Sequence, residues 1–312
     1  MIMRFVSFVG ASVSIPGRFC AALRAGSAVI LVCFAAGCAG IGPTLKPEVV
    51  AIVNSTTARG FLPQAEVKAE YLQSGYGAGG GLIGAIVDAA VTSGRRSGAE
   101  KRVQVLREQV KDVDFRGLYW QTISNTVMGV PWLKGEQLEL VHGTTLPRVT
   151  KQMVKQRAVL NIGADYYISQ DCRALVVATG LGFFPPGKAG TPRAANIVAY
   201  HSPEVGKPDG EQAIALWSTD GAASFRKAAL EAIQENGKLV RYALEYMGGA
   251  TAPSGPLVTL DARLLHAIGD YGIKAGRVSM KGTILEQSPD RLIFRSKAGR
   301  IFSLPRAEVE IR

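Results

Sequence analysis

Few side chains in this 312-residue chain combine the types and spacings that catalysis or metal binding requires. The three histidines, His142, His201 and His266, lie far apart, and none sits in a His-Glu-x-x-His or comparable ligand spacing. No zinc site is expected. No Gly-x-Ser-x-Gly elbow occurs, and no Ser-x-x-Lys stands beside partner motifs. A triad assembled in space stays open, for instance Cys172 with His201 and Asp171, because proximity is not written in a sequence. Carboxylate pairs of the glycosidase type stay open for the same reason. Cys172 itself follows a strand-like stretch and precedes Ala174-Leu175-Val176-Val177, which points to a buried structural thiol. No catalytic residue, cofactor or metal is therefore assigned.

The remaining cysteines belong to the amino-terminal region. Arg18 and Arg24 precede the apolar run Ala28-Val29-Ile30-Leu31-Val32-Cys33-Phe34, which closes with Ala35-Ala36-Gly37-Cys38. A positive flank, a short apolar region and small residues before a cut site describe a secretory signal over residues 1–37. The run is far short of the ~20 apolar residues of a spanning helix. Ala35-Ala36-Gly37-Cys38 resembles the lipobox of bacterial lipoproteins, a pattern that prefers Leu where this chain has Ala35. That resemblance implies lipid attachment at Cys38 and a mature chain that begins there. Ala39 after it implies sorting to the outer membrane, with the domain facing the periplasm. Each buried methylene adds about 0.8 kcal/mol, so a multiply acylated cysteine holds durably. An ordinary signal with Cys38 as a bystander is the alternative. Cys20 and Cys33 leave with the signal, and Cys172 then has no partner for an intramolecular disulfide.

Composition bounds the rest. The chain is 47% hydrophobic and 20% charged, which suits a folded core rather than extended disorder. Losing Arg4, Arg18 and Arg24 with the signal takes the formal charge from +11 to +8. A basic mature domain suits a membrane, an envelope protein, an anionic lipid or a glycan as partner, although plain solubility explains it too. No dense Lys/Arg run is interleaved with aromatics, so nucleic acid is not expected as a partner.

The elements that must position these residues read as follows. Residues 38–48 form a Gly/Pro-containing tether, 49–249 a main domain, 250–275 a linker and connecting segment, and 276–312 a small β unit. Gly75–Val91 is rich in glycine and apolar residues, but lacks the Gly-Lys-Ser/Thr ending of a phosphate loop. It reads either as a loop entering a buried helix or as a helix facing membrane or partner. A helix is predicted over Ala99–Val113 with Val103, Leu106 and Val110 on one face. A second runs over Phe115–Val130 with Leu118, Tyr119, Thr122, Ile123 and Val127 inward, stopped by Pro131.

Strands are expected at Gln137–Val141, Ala164–Ser169, Arg173–Leu181, Asn196–Ser202 and Gln212–Ser218, forming an antiparallel meander. Ser218-Thr219-Asp220 caps a helix over Gly221–Met247, with Trp217 stapling it to the sheet. Val278–Glu286, Arg291–Ser296, Arg300–Leu304 and Val309–Ile311 suit an SH3-like barrel or a curled hairpin sheet. The fold class is α+β, mainly antiparallel sheet packed by helices. The run over residues 75–248 is similar to uncharacterised lipoproteins of Gram-negative bacteria, a resemblance that carries no motif of known activity. A non-enzymatic interaction or envelope-assembly protein is expected. An envelope hydrolase using Cys172 or His201, and a membrane-inserting accessory using the Gly-rich helix, are the alternatives.

Overall fold

The computed structural model describes residues 43–61, 68–69, 97–98, 100–141, 148–169, 171–206, 210–251, 255–264 and 276–312. Cys38, the segment Gly75–Val91, His142 and His266 lie outside these residues.

Apolar periodicity builds the first helical layer. Residues 100–110 form a helix (α2, after the short α1 at Pro47–Ala51) that buries Val103, Leu106 and Val110, each about one helical turn from the last. Helix α3 (Phe115–Met128) starts on Asp114, whose carboxylate accepts the Gly117 N–H at 2.9 Å. It buries Phe115, Tyr119, Ile123 and Val127, a strict four-residue spacing that gives a narrow stripe. Leu118 falls off that stripe and is exposed rather than inward. Pro131 opens a single 3-10 turn, Pro131–Leu133, beyond the helix end.

Alternation builds the sheet: β1 (Thr56–Phe61), β2 (Lys68–Ala69), β3 (Gly135–Val141), β4 (Ala158–Ile168), β5 (Leu175–Phe184) and β6 (Ala194–His201). The carboxy-terminal strands are β7 (Leu257–Leu264), β8 (Gly276–Gln287), β9 (Arg291–Ser296), β10 (Ile301–Pro305) and β11 (Val309–Ile311). All join one 11-stranded sheet in the order β11-β7-β8-β9-β10-β6-β5-β4-β1-β3, with β2 beside β4.

The fold is α+β, but the sheet is mixed rather than mainly antiparallel. The pairs β1–β3, β1–β4, β2–β4 and β6–β10 are all parallel. The cause is the crossover: the chain leaves β1, passes through α2 and α3, and returns to β1's edge in the same direction. Strand β4 then takes the other edge of β1, so Thr57 lies between Gln137 and Val159.

Two further expectations are corrected. Residues Gln212–Ser218 are helical, because Ala213, Ile214 and Trp217 are buried while Leu216 is exposed, a helical spacing and not an alternating one. They form the first half of α4 (Gly210–Met247), which breaks at Thr219–Ala222, where Asp220, Gly221 and Ala222 take φ of 52°, 65° and 61°. Asp and Gly reach that left-handed region readily, and so the chain turns there before the helix resumes. Strand β7 lies inside the stretch expected to be linker. Its alternating Val258, Leu260 and Ala262 face a core.

Two large cores lie on the two faces, with a small third cluster of Val149, Val154, Val159 and Phe184. On one face α2, α3 and α4 cover residues such as Leu160, Val177, Phe183 and Tyr200. Close approach of α3 to α4 needs Gly237, where an added Cβ would sit 2.8 Å from Thr122 Cγ2. On the other face Leu292, Phe294, Phe302, Leu304 and Val309 enclose a second core with Ala199 of β6. β8 pairs β7 through its first half and β9 through its second, so this end of the sheet curls over itself.

Candidate functional site

Two polar seams hold the helices on the sheet. In the first, Asn236 of α4 donates its Nδ2 to the Val177 carbonyl at 3.2 Å, and Thr179 of β5 donates to Asn236 Oδ1 at 2.7 Å. The Tyr119 hydroxyl of α3 bonds to Thr179 Oγ1. All three side chains are fully buried, and burial raises the Tyr119 hydroxyl above its ordinary pKa. Such a seam fixes three elements in register and presents nothing to a cleft.

The second seam centres on Arg291, at the start of β9. Its Nη1 lies 3.0 Å from Glu231 and its Nε donates to Ser303 Oγ at 2.9 Å. Its Nη2 donates to the His201 carbonyl at 2.7 Å and to the Ser303 carbonyl at 2.9 Å. The guanidinium stacks over the Tyr200 ring, 4.4 Å from its centre. Ser303 donates in turn to Glu235 at 2.8 Å, and Lys238 bridges Glu235 and Glu286 at 3.0 and 3.1 Å. This charged cluster ties α4 to β6, β9 and β10, with its donors committed to partners. The acidic spacing Glu231 and Glu235 on α4 is visible in the sequence, but their cation, Arg291, arrives from a distant strand.

The residues singled out from sequence fall on different faces. Cys172 packs in the helix-side core at 3% exposure, with φ of 59° in the tight turn between β4 and β5. Ser169 organises that turn by accepting the Arg173 and Ala174 N–H groups at Oγ. Burial pushes the Cys172 thiol above its ordinary pKa, with Arg102 opposing it. The Cys172 carbonyl accepts the Trp217 indole N–H at 2.8 Å. His201 pairs with Val176 across β5 and alternates with Tyr200, which belongs to the helix-side core, so His201 points to the opposite face. Asp171 accepts the Ser169 hydroxyl at 2.7 Å. Cys172 and His201 are thus parted by the sheet.

The first described residues are fastened to the fold by contacts that no sequence pattern announces. Leu45 is buried, and its N–H donates to the Met247 carbonyl at 2.8 Å, at the end of α4. Pro43 lies against Gly299 in the β9–β10 turn, where φ is 87° and an added Cβ would stand 2.7 Å from Pro43 Cγ.

Among the described residues, no group of three or more His, Cys, Asp or Glu is placed to hold a metal ion. No helix among them is long and apolar enough to cross a membrane. Compared with family models, with characterised proteins and with solved structures, the chain matches none.

Proposed function

We propose that this chain is a periplasm-facing lipoprotein of the outer membrane, anchored through Cys38, whose domain binds another envelope component and does not catalyse a reaction. The observation that carries the reading is the Ala35-Ala36-Gly37-Cys38 tetrad, with the fold joined only a few residues later at Pro43 and Leu45. A tether this short keeps the domain at the membrane surface. Both polar seams spend their donors on positioning α4, a structural task. We also read the carboxy-terminal strands as an SH3-like barrel. They run β11-β7-β8-β9-β10 with a 3-10 turn, Arg306–Glu308, before the last strand.

Metabolic labelling with palmitate tests the anchor, and crosslinked pulldown from isolated envelopes tests the binding role. Label on the wild type and none on Cys38→Ser is the expected result. An unlabelled wild type overturns the anchor. A labelled protein that recovers no protein, lipid or glycan overturns the binding role.

A further inference from the structure

The parallel strands of the sheet set up two unlike ends. Strands β1, β3, β4 and β6 all begin at one end, where β5 finishes and the β9–β10 turn lies. Loop backbones are tied together there: Thr56 N–H donates to the Lys134 carbonyl at 3.2 Å, Ala158 N–H to Ser55 at 2.9 Å, and Gly187 N–H to Val154 at 2.6 Å. Pro43 and Leu45 join the fold at this same end. Its loops expose Lys134, Lys151, Lys155, Lys188, Arg193 and Lys297. Among the described residues none of these six is paired with a carboxylate. Among the described residues Glu48 of α1 and Glu136 of β3 are acidic neighbours, and Glu245 is taken by Arg241 at 2.9 Å. At the far end Arg173 is paired with Glu204, Arg226 with Asp112 and Arg291 with Glu231.

We propose that this basic end is a membrane-docking face, which binds the anionic phosphate headgroups of the bilayer that carries the anchor. The choice of bilayer rests on the lipoprotein reading. From Cys38 to Pro43 is five residues, which reach about 18 Å at full stretch. An acylated Cys38 therefore holds the basic end within about two Debye lengths of the headgroups, close enough for its field to be felt. Beside Pro43's contact, a groove of about 220 Å³ lies between β8 and the β9–β10 turn. Met280 and Phe302 line it with Lys281 and Lys297, so apolar surface lies beside two lysines. Docked in this way, the domain presents its opposite end, with the turn between β4 and β5, to the periplasm.

The test uses the chain from residue 38 with Cys38→Ser, which contains every described element and carries no acyl group. It is sedimented with vesicles of phosphatidylcholine or of phosphatidylglycerol. Binding to phosphatidylglycerol alone, weakened by salt, is expected. Replacing Lys151, Lys155, Lys188 and Lys297 together by Gln is expected to weaken binding about fivefold per lysine at low salt, with the urea midpoint unchanged. Lys111→Gln with Lys227→Gln, in the turn after α2 and on α4 away from this end, is expected to leave binding intact. Equal affinity for both vesicles, no affinity for either, or an unaffected quadruple variant overturns the proposal. So does calorimetric binding of inorganic phosphate without vesicle binding. Vesicle binding in a protein whose Cys38 takes no palmitate removes the anchor reading and keeps the docking face.

Discussion

The indole N–H of Trp217 donates to the carbonyl oxygen of Cys172 across 2.8 Å, joining the first half of α4 to the turn between β4 and β5. Both residues are buried, and the Trp217 ring also meets Phe225 edge-on at 6.1 Å, across the break in α4. One side chain thereby holds a turn and both halves of a broken helix. Trp217→Phe keeps most of the packing and strands the carbonyl, at a cost of about 1–2 kcal/mol. Trp217→Ala also opens a cavity and costs about 3–5 kcal/mol. Urea unfolding separates the two, and a Trp217→Phe chain as stable as the wild type would show that the hydrogen bond is irrelevant.

Cys172 is expected to be silent toward thiol reagents in the folded chain. Its sulfur is enclosed in the helix-side core and burial disfavours the thiolate, the form that reacts. Labelling the Cys38→Ser chain across a urea titration is the check. Modification should track the unfolding transition, and full labelling before it would place Cys172 in an accessible cleft instead.

Alkaline pH should weaken the fold. Burial raises the Tyr119 and Tyr200 hydroxyls above the ordinary 10.0, so the folded chain keeps protons that the unfolded chain releases. The contribution is complete below the unfolded value and is lost as pH rises through the raised folded values. Urea midpoints are expected to hold up to about pH 9.5 and then fall. Tyr200→Phe should flatten that decline, and a variant as steep as the wild type would assign the effect elsewhere.

Arg291 is expected to matter far more than any one of its carboxylates. Its side chain is 11% exposed and Glu235 is 12% exposed, whereas Glu231 is 35% exposed. Arg291→Met leaves the Ser303 and His201 carbonyls and Glu235 short of a donor, at about 3 kcal/mol. Glu231→Gln removes a partly solvated partner and costs below about 1 kcal/mol. Hydrogen exchange should accelerate first in β9 and β10 of the Arg291 variant. Exchange that speeds up uniformly would argue against a local clamp.

Local patterns were legible where one element's spacing decides its own burial. Val103, Leu106 and Val110 announce a helix, Pro131 its successor's end, and Arg291–Ser296 and Val309–Ile311 are strands as read. The failures came where two readings share residues. Gln212–Ser218 contains apolar residues that fit either period, and only contact with Cys172 and the sheet shows Trp217 inward. Strand β7 hid behind Ala250–Pro256, whose Gly and Pro content reads as a linker running on.

The candidate sites divide in the same way. Cys38 is a local signal, since the tetrad before it and the apolar run are contiguous in the chain. Whether Cys172 meets His201 depends on distance, and Cys172 packs in the helix-side core while strand alternation turns His201 away from it.

By itself, then, the sequence determined the helical periods, the carboxy-terminal strands and the basic balance of its charge. Each of these depends on neighbours a few residues apart. Only the tertiary structure decided that β1 is wedged in parallel between β3 and β4, that Arg291 closes onto α4, and that Lys134, Lys155, Lys188 and Lys297 share one end with Pro43. Those relations join residues that chain order keeps far apart, through strand direction and loop closure, and a sequence carries no local mark of either.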